Sequence, residues 1–398
     1  MIQRQDYLNS LIRFRDKKLI KVVTGVRRCG KSTLLELFRD YLRADGVREE
    51  QIIAINLEEG EYDEITSYKP LYQLIDGKLT PGEQMYIFLD EVQRVEDFQK
   101  CVDSLYVKKN CDVYITGSNA HLLSGELATL LSGRYVEIKM LPLSFKEYAS
   151  AFPPGGNPER LYADYIQNSA FPYALEIERP NDRRLYLQGI YDTIVLKDII
   201  ARRKFPDTAM FKSVTRFLFD NIGNLCSTKG IAGTMTSAGR KISVHTVESY
   251  LTALTDSFIF YQVGRYDAKG KQHLKTGDKY YAVDIGLRYA LLGPKKADQG
   301  HILENVVFLE LFRRGYEIYV GKVNNAEIDF VAIGDEGEEY YQVAYTVTDA
   351  DGSTLARELA PLEAVNDHNP KYLLTMDNTP FTSHNGIKQI NVLDWLLK

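Results

Sequence analysis

The segment that most constrains this chain is GVRRCGKS, residues 25–32. It follows the apolar residues 19–23 and precedes residues 33–38, whose spacing and residue types favour a helix. Two glycines separated by four residues and followed by Lys and Ser are typical of a phosphate-binding loop. Glycine lets several backbone N–H groups point into one concavity, and the start of a helix adds partial positive charge. We therefore expect a strand, a phosphate-binding loop and a helix in this order.

Short apolar segments that favour strands alternate with segments that favour helices up to about residue 150. The predicted strands are residues 19–23, 51–57, 84–89, 112–116 and 135–138. The predicted helices include residues 1–18, 71–75, 98–108 and 121–131. Such alternation is typical of a parallel sheet with helices on both faces. The sequence therefore predicts an α/β fold for this part of the chain.

The composition is that of a soluble globular protein, with 44% hydrophobic and 26% charged residues in a chain of 398. We expect no membrane partner, because no apolar run approaches a membrane span and the first residues lack a signal-peptide core. The four cysteines lack the paired spacing of metal ligands. One of them lies inside the phosphate-binding loop, where a disulfide would obstruct a ligand. A reducing, cytoplasmic location is the simplest interpretation.

Asp90 and Glu91 stand at the end of the predicted strand of residues 84–89. In a parallel sheet, strand ends that neighbour the phosphate-binding loop face the bound phosphates. An Asp in this place can hold the Mg²⁺ shell, and the adjacent Glu can orient or deprotonate an attacking water. The alternative interpretation is a solvated acidic turn.

Asn119 and Arg134 are two further candidates for the same chemistry. Asn119 follows the predicted strand of residues 112–116 and can bond the attacking water or the γ-phosphate, although its segment also suits an ordinary turn. Arg134 follows the next predicted helix and can stabilise charge on the γ-phosphate of a neighbouring subunit. The alternative for Arg134 is an ordinary surface arginine.

Five segments together resemble the motifs of one family. They are GVRRCGKST at 25–33, FLDEVQ at 88–93, TGSN at 116–119, GR at 133–134 and LPLSFKE at 141–147. Nearly end to end, the chain resembles the prokaryotic AAA+-type ATPases with an AAA domain and a C-terminal domain of the kind called DUF4143. The resemblance implies ATP and Mg²⁺ as cofactors and self-association into a ring, most simply a hexamer.

The motifs and the resemblance assign roles to individual residues. The expected nucleotide-binding residues are Gly25, Arg27, Arg28, Cys29, Gly30, Lys31, Ser32 and Thr33. Ser32 and Asp90 are expected to hold the metal ion. The resemblance implies that Glu91 is the catalytic base, Asn119 the sensor-1 residue and Arg134 an arginine finger.

We predict three domains. Residues 1–150 form the ATPase domain, residues 151–295 a helical lid and a winged-helix region, and residues 296–398 a DUF4143-type domain similar to the PD-(D/E)XK nucleases. A helix that presents Ser243, His245, Thr246 and Ser249 suits a major groove, and a basic hairpin with Lys269, Lys271 and Lys275 suits phosphates. The alternatives are protein contacts or a solvated hairpin, because the net charge of −5 does not favour nucleic acid overall.

In the last domain, Glu304 and Asp329 occupy positions that resemble two carboxylates of a nuclease site. Gln342 stands where the next acid is expected and Ala344 where the lysine is expected. A neutral amide binds Mg²⁺ weakly and alanine cannot activate water, so we expect no nuclease activity. A displaced lysine such as Lys322 is the main alternative.

Two functions fit these features. The first is an oligomeric ATPase that couples hydrolysis to remodelling or moving DNA. The second is a regulatory nucleotide switch that acts through protein partners without DNA. The intact Asp90-Glu91 pair favours turnover but does not separate the two.

Overall fold

The computed structural model describes residues 2–120, 131, 133–200, 203–293, 299–349, 352–379 and 382–398. The chain divides into two compact units. The first comprises Met1–Pro142 together with Asp256–Phe258, and the second comprises Leu143–Thr255 together with Ile259–Lys398. Within the part of the chain that the structure describes, none of the helices is long and apolar enough to cross a membrane.

The first unit alternates strands and helices. Its helices are α1 (Gln5–Phe14), α2 (Lys31–Ala44), α3 (Tyr68–Asp76) and α4 (Phe98–Val107), with single 3₁₀ turns at Glu49–Gln51, Gly60–Tyr62 and Val92–Arg94. Its strands are β1 (Ile20–Thr24), β2 (Ile52–Asn56), β3 (Met85–Asp90), β4 (Cys111–Gly117) and β5 (Tyr135–Lys139). Each predicted strand therefore appears within a few residues of its expected bounds. The predicted helix of residues 121–131 lies outside the described residues except for Leu131.

The five strands form one sheet in the order β2-β3-β4-β1-β5, and all four neighbouring pairs are parallel. This confirms the expected α/β fold with a parallel sheet. Strand β4 lies between β1 and β3, so the carboxyl ends of all three strands meet at one edge. The loop after β1 and the residues after β3 and β4 are thereby brought to the same edge.

Apolar side chains hold this sheet between helices. On one face, Phe38 of α2 packs against Phe88 and Tyr114, with ring centroids 6.1 and 5.0 Å away. On the other, α3 and α4 contribute Leu71, Ile75 and other side chains to a buried apolar cluster with the strands. Strands that are buried on both faces consist of nearly continuous apolar residues, and this pattern made them recognisable in the sequence. Truncation of Phe38 to alanine is expected to cost about 3–5 kcal/mol.

The second unit begins with helices and ends in mixed structure. Its helices are α5 (Phe145–Ala149), α6 (Pro158–Asn168), α7 (Pro180–Asp192), α8 (Thr208–Asp220), α9 (Thr228–Ser237), α10 (Val244–Asp256), α11 (Ile285–Leu292), α12 (Gln299–Arg313), α13 (Ser353–Glu363) and α14 (Val392–Leu396), with a 3₁₀ segment at Pro172–Glu176 and a π-helical segment at Thr193–Ile200. Its strands are β6 (Leu225–Cys226), β7 (Phe260–Asp267), β8 (Gln272–Ala282), β9 (Glu317–Val323), β10 (Ala326–Gly334), β11 (Gly337–Ala344), β12 (Lys371–Thr375), β13 (Thr382–His384) and β14 (Ile387–Asn391). Ser144 caps α5 in a capping box with Glu147.

These nine strands form a single sheet in the order β13-β14-β12-β11-β10-β9-β7-β8-β6. The hairpin of β7 and β8 joins the later strands because β7 pairs in parallel with β9, from Arg265 opposite Val320 to Asp267 opposite Lys322. Strands from both sides of residue 295 therefore share one sheet. The proposed division into three domains, with limits at 150 and 295, stays a prediction.

Candidate functional site

The loop between β1 and α2 requires glycine at both of its ends. Gly25 has φ +152°, and a Cβ atom placed there would lie 2.1 Å from the backbone oxygen of Met140. Gly30 has φ +103° and precedes the first residue of α2, Lys31. Side chains at these two positions would clash or strain the backbone. The loop thus leads directly into a helix N-terminus, the arrangement that suits a bound anion.

Lys31 is buried at the base of this loop, with 4% of its surface exposed. Its ammonium donates to the backbone oxygens of Gly25 at 3.1 Å and Val26 at 3.2 Å. The same Nζ lies 3.7 Å from Oε1 of Glu91. The loop lysine and the carboxylate predicted at the end of β3 are therefore neighbours in the folded unit.

Arg4, which the sequence analysis did not single out, holds the backbone of the phosphate-binding loop through hydrogen bonds. This residue is 3% exposed, and its guanidinium donates to the backbone oxygens of Cys29 at 3.0 Å and Leu141 at 2.7 Å. The hydroxyl of Tyr7 accepts a bond from the backbone N–H of Leu141 at 3.1 Å. Cys29 is itself buried, and burial raises the pKa of its thiol. Sequence spacing could not reveal Arg4, because its partners lie 25 and 137 residues away.

Asp90 and Glu91 lie at the carboxyl end of β3, as predicted, and Thr116 of β4 fixes both. The Thr116 hydroxyl donates to Oδ1 of Asp90 and accepts from the backbone N–H of Glu91 at 2.9 Å. Glu91 has φ +52°, in the left-handed region. A non-glycine residue held there costs of the order of 1–3 kcal/mol, and such strain is common at active sites.

The carboxylate of Glu91 is held by two side chains that the sequence analysis missed. Gln93 Nε2 and Ser118 Oγ both donate to Oε2 of Glu91, the latter at 3.1 Å. Gln93 Nε2 also lies 3.3 Å from Ser118 Oγ. The amide oxygen of Gln93, Oε1, is buried and has no hydrogen-bond partner among the described residues. Both residues stand within motifs already noted, next to Glu91 and Asn119, and this proximity was the available signal.

The remaining residues predicted to lie near the phosphate-binding loop differ in solvent exposure. Asn119 is buried, two residues beyond β4. Ser32 is exposed and Thr33 half-buried in the first turn of α2. Arg28 is exposed, whereas the guanidinium of Arg27 bonds Oε1 of Glu58 at 2.8 Å. Burial opposes ionisation of Glu58, but its hydrogen bond and charge contacts with Arg27 lower its pKa overall.

Arg134 is not brought together with the other candidates. It directly precedes β5, and its backbone oxygen accepts from the N–H of Ile20 at the amino end of β1. Its guanidinium pairs with Asp103 and lies 5.4 Å from the ring centroid of Tyr106. The residue therefore stands at the edge of the sheet opposite the phosphate-binding loop.

The predicted DNA-contact residues are partly engaged within the second unit. The Ser243 hydroxyl accepts from the backbone N–H of Thr246 at 3.0 Å, and the side chain of His245 is 95% exposed. In the hairpin, Lys269 donates to Asn324 at 3.0 Å and Lys271 lies 3.3 Å from Oε2 of Glu338.

Ser249 and Lys275 are the other two predicted DNA-contact residues. Ser249 is half-buried on α10. The side chain of Lys275 lies outside the described part of the structure.

The residues that the sequence analysis compares with a nuclease site lie around Asp329 of β10. The backbone N–H of Val343 donates to Oδ2 of Asp329 at 2.8 Å, and the N–H of Asp329 donates to Oε1 of Gln342 at 3.4 Å. Ala344 ends the same strand as Gln342. Within the described ranges, no group of three or more His, Cys, Asp or Glu side chains has an arrangement that could hold a metal ion.

The carboxylate of Glu304 on α12 also reaches this centre. It bonds Lys279 of β8, which in turn lies 3.8 Å from Oδ1 of Asp329. Lys322 lies on β9, where it pairs in register with Glu327. The sequence analysis considered Lys322 as a displaced lysine and missed Lys279.

Comparison with known proteins finds two domain matches in this chain. An AAA domain matches residues 17–149, and a domain of unknown function, DUF8612, matches residues 159–298. The DUF4143-type assignment of residues 296–398 stays a prediction. Among solved structures, the chain is similar to a Walker-type ATPase of Pyrococcus abyssi, with a TM-score of 0.51 and 14% identity over 73% of this chain and 96% of that one. This likeness shows a shared fold and confirms the P-loop ATPase architecture.

Curated relatives extend over the length of the chain. An uncharacterized protein of Methanocaldococcus jannaschii is 29% identical over 83% of this chain and 75% of its own length. An uncharacterized protein of Haemophilus influenzae is 44% identical over 100% of this chain and 99% of its own length. The chain therefore belongs to one family with this Haemophilus influenzae protein, and its residues 17–149 match the AAA domain.

Proposed function

We propose that the protein binds ATP at the loop of residues 25–32 and hydrolyses it with Glu91 as the catalytic base. The observation that carries this proposal is the meeting of Lys31 and Glu91, whose charged groups are 3.7 Å apart at the carboxyl edge of the sheet. One of these groups suits a bound phosphate and the other an attacking water.

The loop fits a triphosphate chemically. Gly25 and Gly30 keep the backbone open, and the N–H groups at the start of α2 complement negative charge. Lys31 is bonded to backbone oxygens at 3.1 and 3.2 Å, contacts that β- and γ-phosphate oxygens would replace. Mg²⁺ bound with ATP would be held by Ser32 and Asp90 and would supply neutralisation of the phosphate charge.

In the chemical step, a water oxygen attacks the γ-phosphorus while the bond to the β–γ bridging oxygen breaks. ADP leaves with the electron pair of that bond, and Glu91 accepts the proton of the attacking water. Gln93 and Ser118 hold one oxygen of the Glu91 carboxylate, so its other oxygen keeps a defined direction. The buried Oε1 of Gln93 is an acceptor that suits the same water. Asn119 is assigned to the γ-phosphate or the water.

Phosphate release from ATP, measured with Mg²⁺ and with a chelator, tests this proposal. We expect Mg²⁺-dependent turnover that Glu91→Gln slows while it still binds ATP. A Glu91→Gln variant with the wild-type rate would remove Glu91 from the mechanism. The assay is repeated with single-stranded, duplex and branched DNA to show whether any of these stimulates turnover.

We further propose that the active form is a ring, most simply a hexamer, in which Arg134 acts on the nucleotide of a neighbouring subunit. The support is its position at the amino edge of the sheet, away from the loop of its own chain. An arginine finger that acts in trans contributes about 10³–10⁵ to the rate. Mixing Arg134→Ala with Glu91→Gln should restore activity, since a mixed interface holds both intact groups. A monomeric wild type in ATP and Mg²⁺, with no recovery on mixing, would contradict this.

We propose DNA as the substrate, contacted by the hairpin of β7 and β8 and by α10. The order of a helix, a short strand, two helices and a hairpin supports a winged-helix arrangement. Joint replacement of Lys269, Lys271 and Lys275 by alanine should weaken binding to every sequence and reduce its salt dependence. An unchanged salt slope would leave the hairpin without this role.

The contacts of two hairpin lysines favour the second candidate function, a nucleotide switch with protein partners. Lys271 is paired with Glu338 and Lys269 is bonded to Asn324, so both have protein partners that DNA phosphates would have to replace. If ATP turnover is insensitive to all three forms of DNA and no salt-dependent binding is found, the switch becomes the better account.

A further inference from the structure

A buried lysine lies at the centre of the carboxylates of the nuclease-like site. Nζ of Lys279, on β8, is 2.8 Å from Oε1 of Glu304 and 2.7 Å from Oε1 of Glu327. It is also 3.8 Å from Oδ1 of Asp329. The lysine side chain is 4% exposed. Three carboxylates from a helix and a strand thus converge on one ammonium group that a different strand supplies.

Neighbouring groups fix these carboxylates in place. The Tyr281 hydroxyl donates to Oε1 of Glu304 at 2.6 Å, and Nδ1 of His301 lies 3.5 Å from its Oε2. The backbone N–H of Val343 donates to Asp329. Gly223 has φ +73°, and a Cβ there would lie 3.0 Å from His301 and 3.1 Å from Glu304, so the backbone closes the space beside the cluster.

The pKa directions agree with a cluster organised by this lysine. Burial alone would lower the pKa of Lys279, but the carboxylates of Glu304, Asp329 and Glu327 raise it overall. Burial opposes ionisation of Glu304, yet the lysine and the hydrogen bonds lower its pKa. Burial, together with the charge of Glu304, raises the pKa of Asp329. Of these two buried acids, Glu304 is therefore the more strongly ionised partner of the ammonium.

This arrangement does not fit the divalent cation that the nuclease resemblance implies. Mg²⁺ and Ca²⁺ take oxygen ligands at about 2.0–2.6 Å, and a tightly paired ammonium among those oxygens competes with the ion for the same charge and space. We infer that the ammonium of Lys279 is a built-in substitute for a divalent cation at the Glu304–Glu327–Asp329 centre. Its single positive charge pairs at hydrogen-bond distance with Glu304 and Glu327, and these contacts join β8 to α12 and β10.

The inference gives the centre a role without bond cleavage. Hydrolysis of a phosphodiester needs a cation to polarise the phosphate and stabilise the attacking and leaving oxygens. A lysine that already satisfies two carboxylates has little charge left for either task. The centre instead links β8 to α12 and β10. We expect this link to be independent of the Mg²⁺ concentration.

Calorimetric titration with Mn²⁺ of the nucleotide-free full-length protein tests this inference. We expect no binding at this centre in the wild type. Lys279→Met frees the carboxylates and should create a Mn²⁺ site that the wild type lacks, and Asp329→Asn in the same chain should abolish that site. Lys322→Met, a lysine change in the same sheet, is the matched control and should gain no binding.

Two results obtained without the Lys279→Met variant would overturn the inference. The first is Mn²⁺ binding by the wild type that Asp329→Asn removes. The second is cleavage of plasmid, linear or branched DNA by the wild type in Mg²⁺ or Mn²⁺ that survives Lys31→Ala and disappears in Asp329→Asn. Neither needs the Lys279→Met protein to fold, and neither depends on whether the protein hydrolyses ATP. A well-folded Lys279→Met that gains no Mn²⁺ binding would also contradict it.

Discussion

Lys31 in the first unit and Lys279 in the second are buried to the same extent, with side chains 3% and 4% exposed. Their partners differ. Lys31 has two backbone oxygens at 3.1 and 3.2 Å and one carboxylate at 3.7 Å. Lys279 has two carboxylates at 2.7 and 2.8 Å and a third at 3.8 Å.

This difference separates a lysine available to a ligand from one committed to the fold. Neutral carbonyls carry only partial negative charge, so the charged oxygens of a phosphate attract the ammonium more strongly and can replace them. Carboxylates at hydrogen-bond distance compete with any incoming anion on equal terms. We therefore expect changes at Lys31 and Glu91 to affect nucleotide chemistry, and changes at Lys279 to affect stability.

The largest effect is expected from Glu91→Gln. The amide keeps the shape of the carboxylate but cannot accept a proton from water, so kcat should fall by about 10²–10⁴ with ATP affinity retained. Single-turnover hydrolysis and equilibrium binding of a labelled ATP analogue measure the two quantities separately. A loss of binding equal to the loss of rate would assign Glu91 to ground-state contacts instead.

Lys31→Met is expected to lower kcat/KM by about 10²–10³, because it removes a cation from the developing phosphate charge. Lys279→Met is the matched control and should leave the turnover of folded protein within about twofold. Steady-state phosphate release by both variants checks this contrast. If folded Lys279→Met lost as much turnover as Lys31→Met, the two lysines would not have separate functions.

Lys279→Met should destabilise the second unit by about 3–5 kcal/mol, since it leaves buried carboxylates without their cation. Urea unfolding followed by tryptophan fluorescence reports on this unit, because Trp395 is the one tryptophan of the chain. Lys322→Met, a partly exposed strand lysine, should stay within about 0.5 kcal/mol of the wild type. A loss below about 1 kcal/mol in Lys279→Met would mean that the ion cluster contributes little to the fold.

The smallest effect is expected from Gln93→Ala, which removes one of the two donors to Oε2 of Glu91. We expect kcat to fall by about tenfold with ATP affinity unchanged, since positioning of the base is weakened but the base remains. Ser118→Ala should reduce kcat less, and the double variant should show non-additivity. Equal losses in kcat and in ATP affinity would indicate a general structural role.

The nucleotide site was largely predictable because its determinants are local. The loop, its flanking strand and helix, and the Asp90-Glu91 pair each lie within a few residues of a recognisable pattern. Parallel pairing then brings their strand ends together without further information. Arg4 was missed because its partners are distant in the sequence. Gln93 and Ser118 lie inside the noted motifs and were missed because their contacts with Glu91 depend on side-chain orientation.

The second unit was less predictable because its key contacts join distant segments. Glu304 and Asp329 were found through a resemblance, but Lys279 lies on β8, outside every motif that the sequence offers. The parallel pairing of β7 with β9 brings the hairpin of β7 and β8 into the C-terminal sheet. Pairing partners of this kind depend on tertiary packing that a single sequence does not specify.

The most direct test of the account is a count of bound Mn²⁺ on the wild-type protein, by electron paramagnetic resonance, with and without a non-hydrolysable ATP analogue. If Lys31 and Glu91 form the nucleotide site and Lys279 occupies the other centre, the chain should bind one Mn²⁺ for each bound analogue and essentially none without it. Mn²⁺ bound in the absence of nucleotide and lost in Asp329→Asn, or no Mn²⁺ bound with the analogue, would contradict the account.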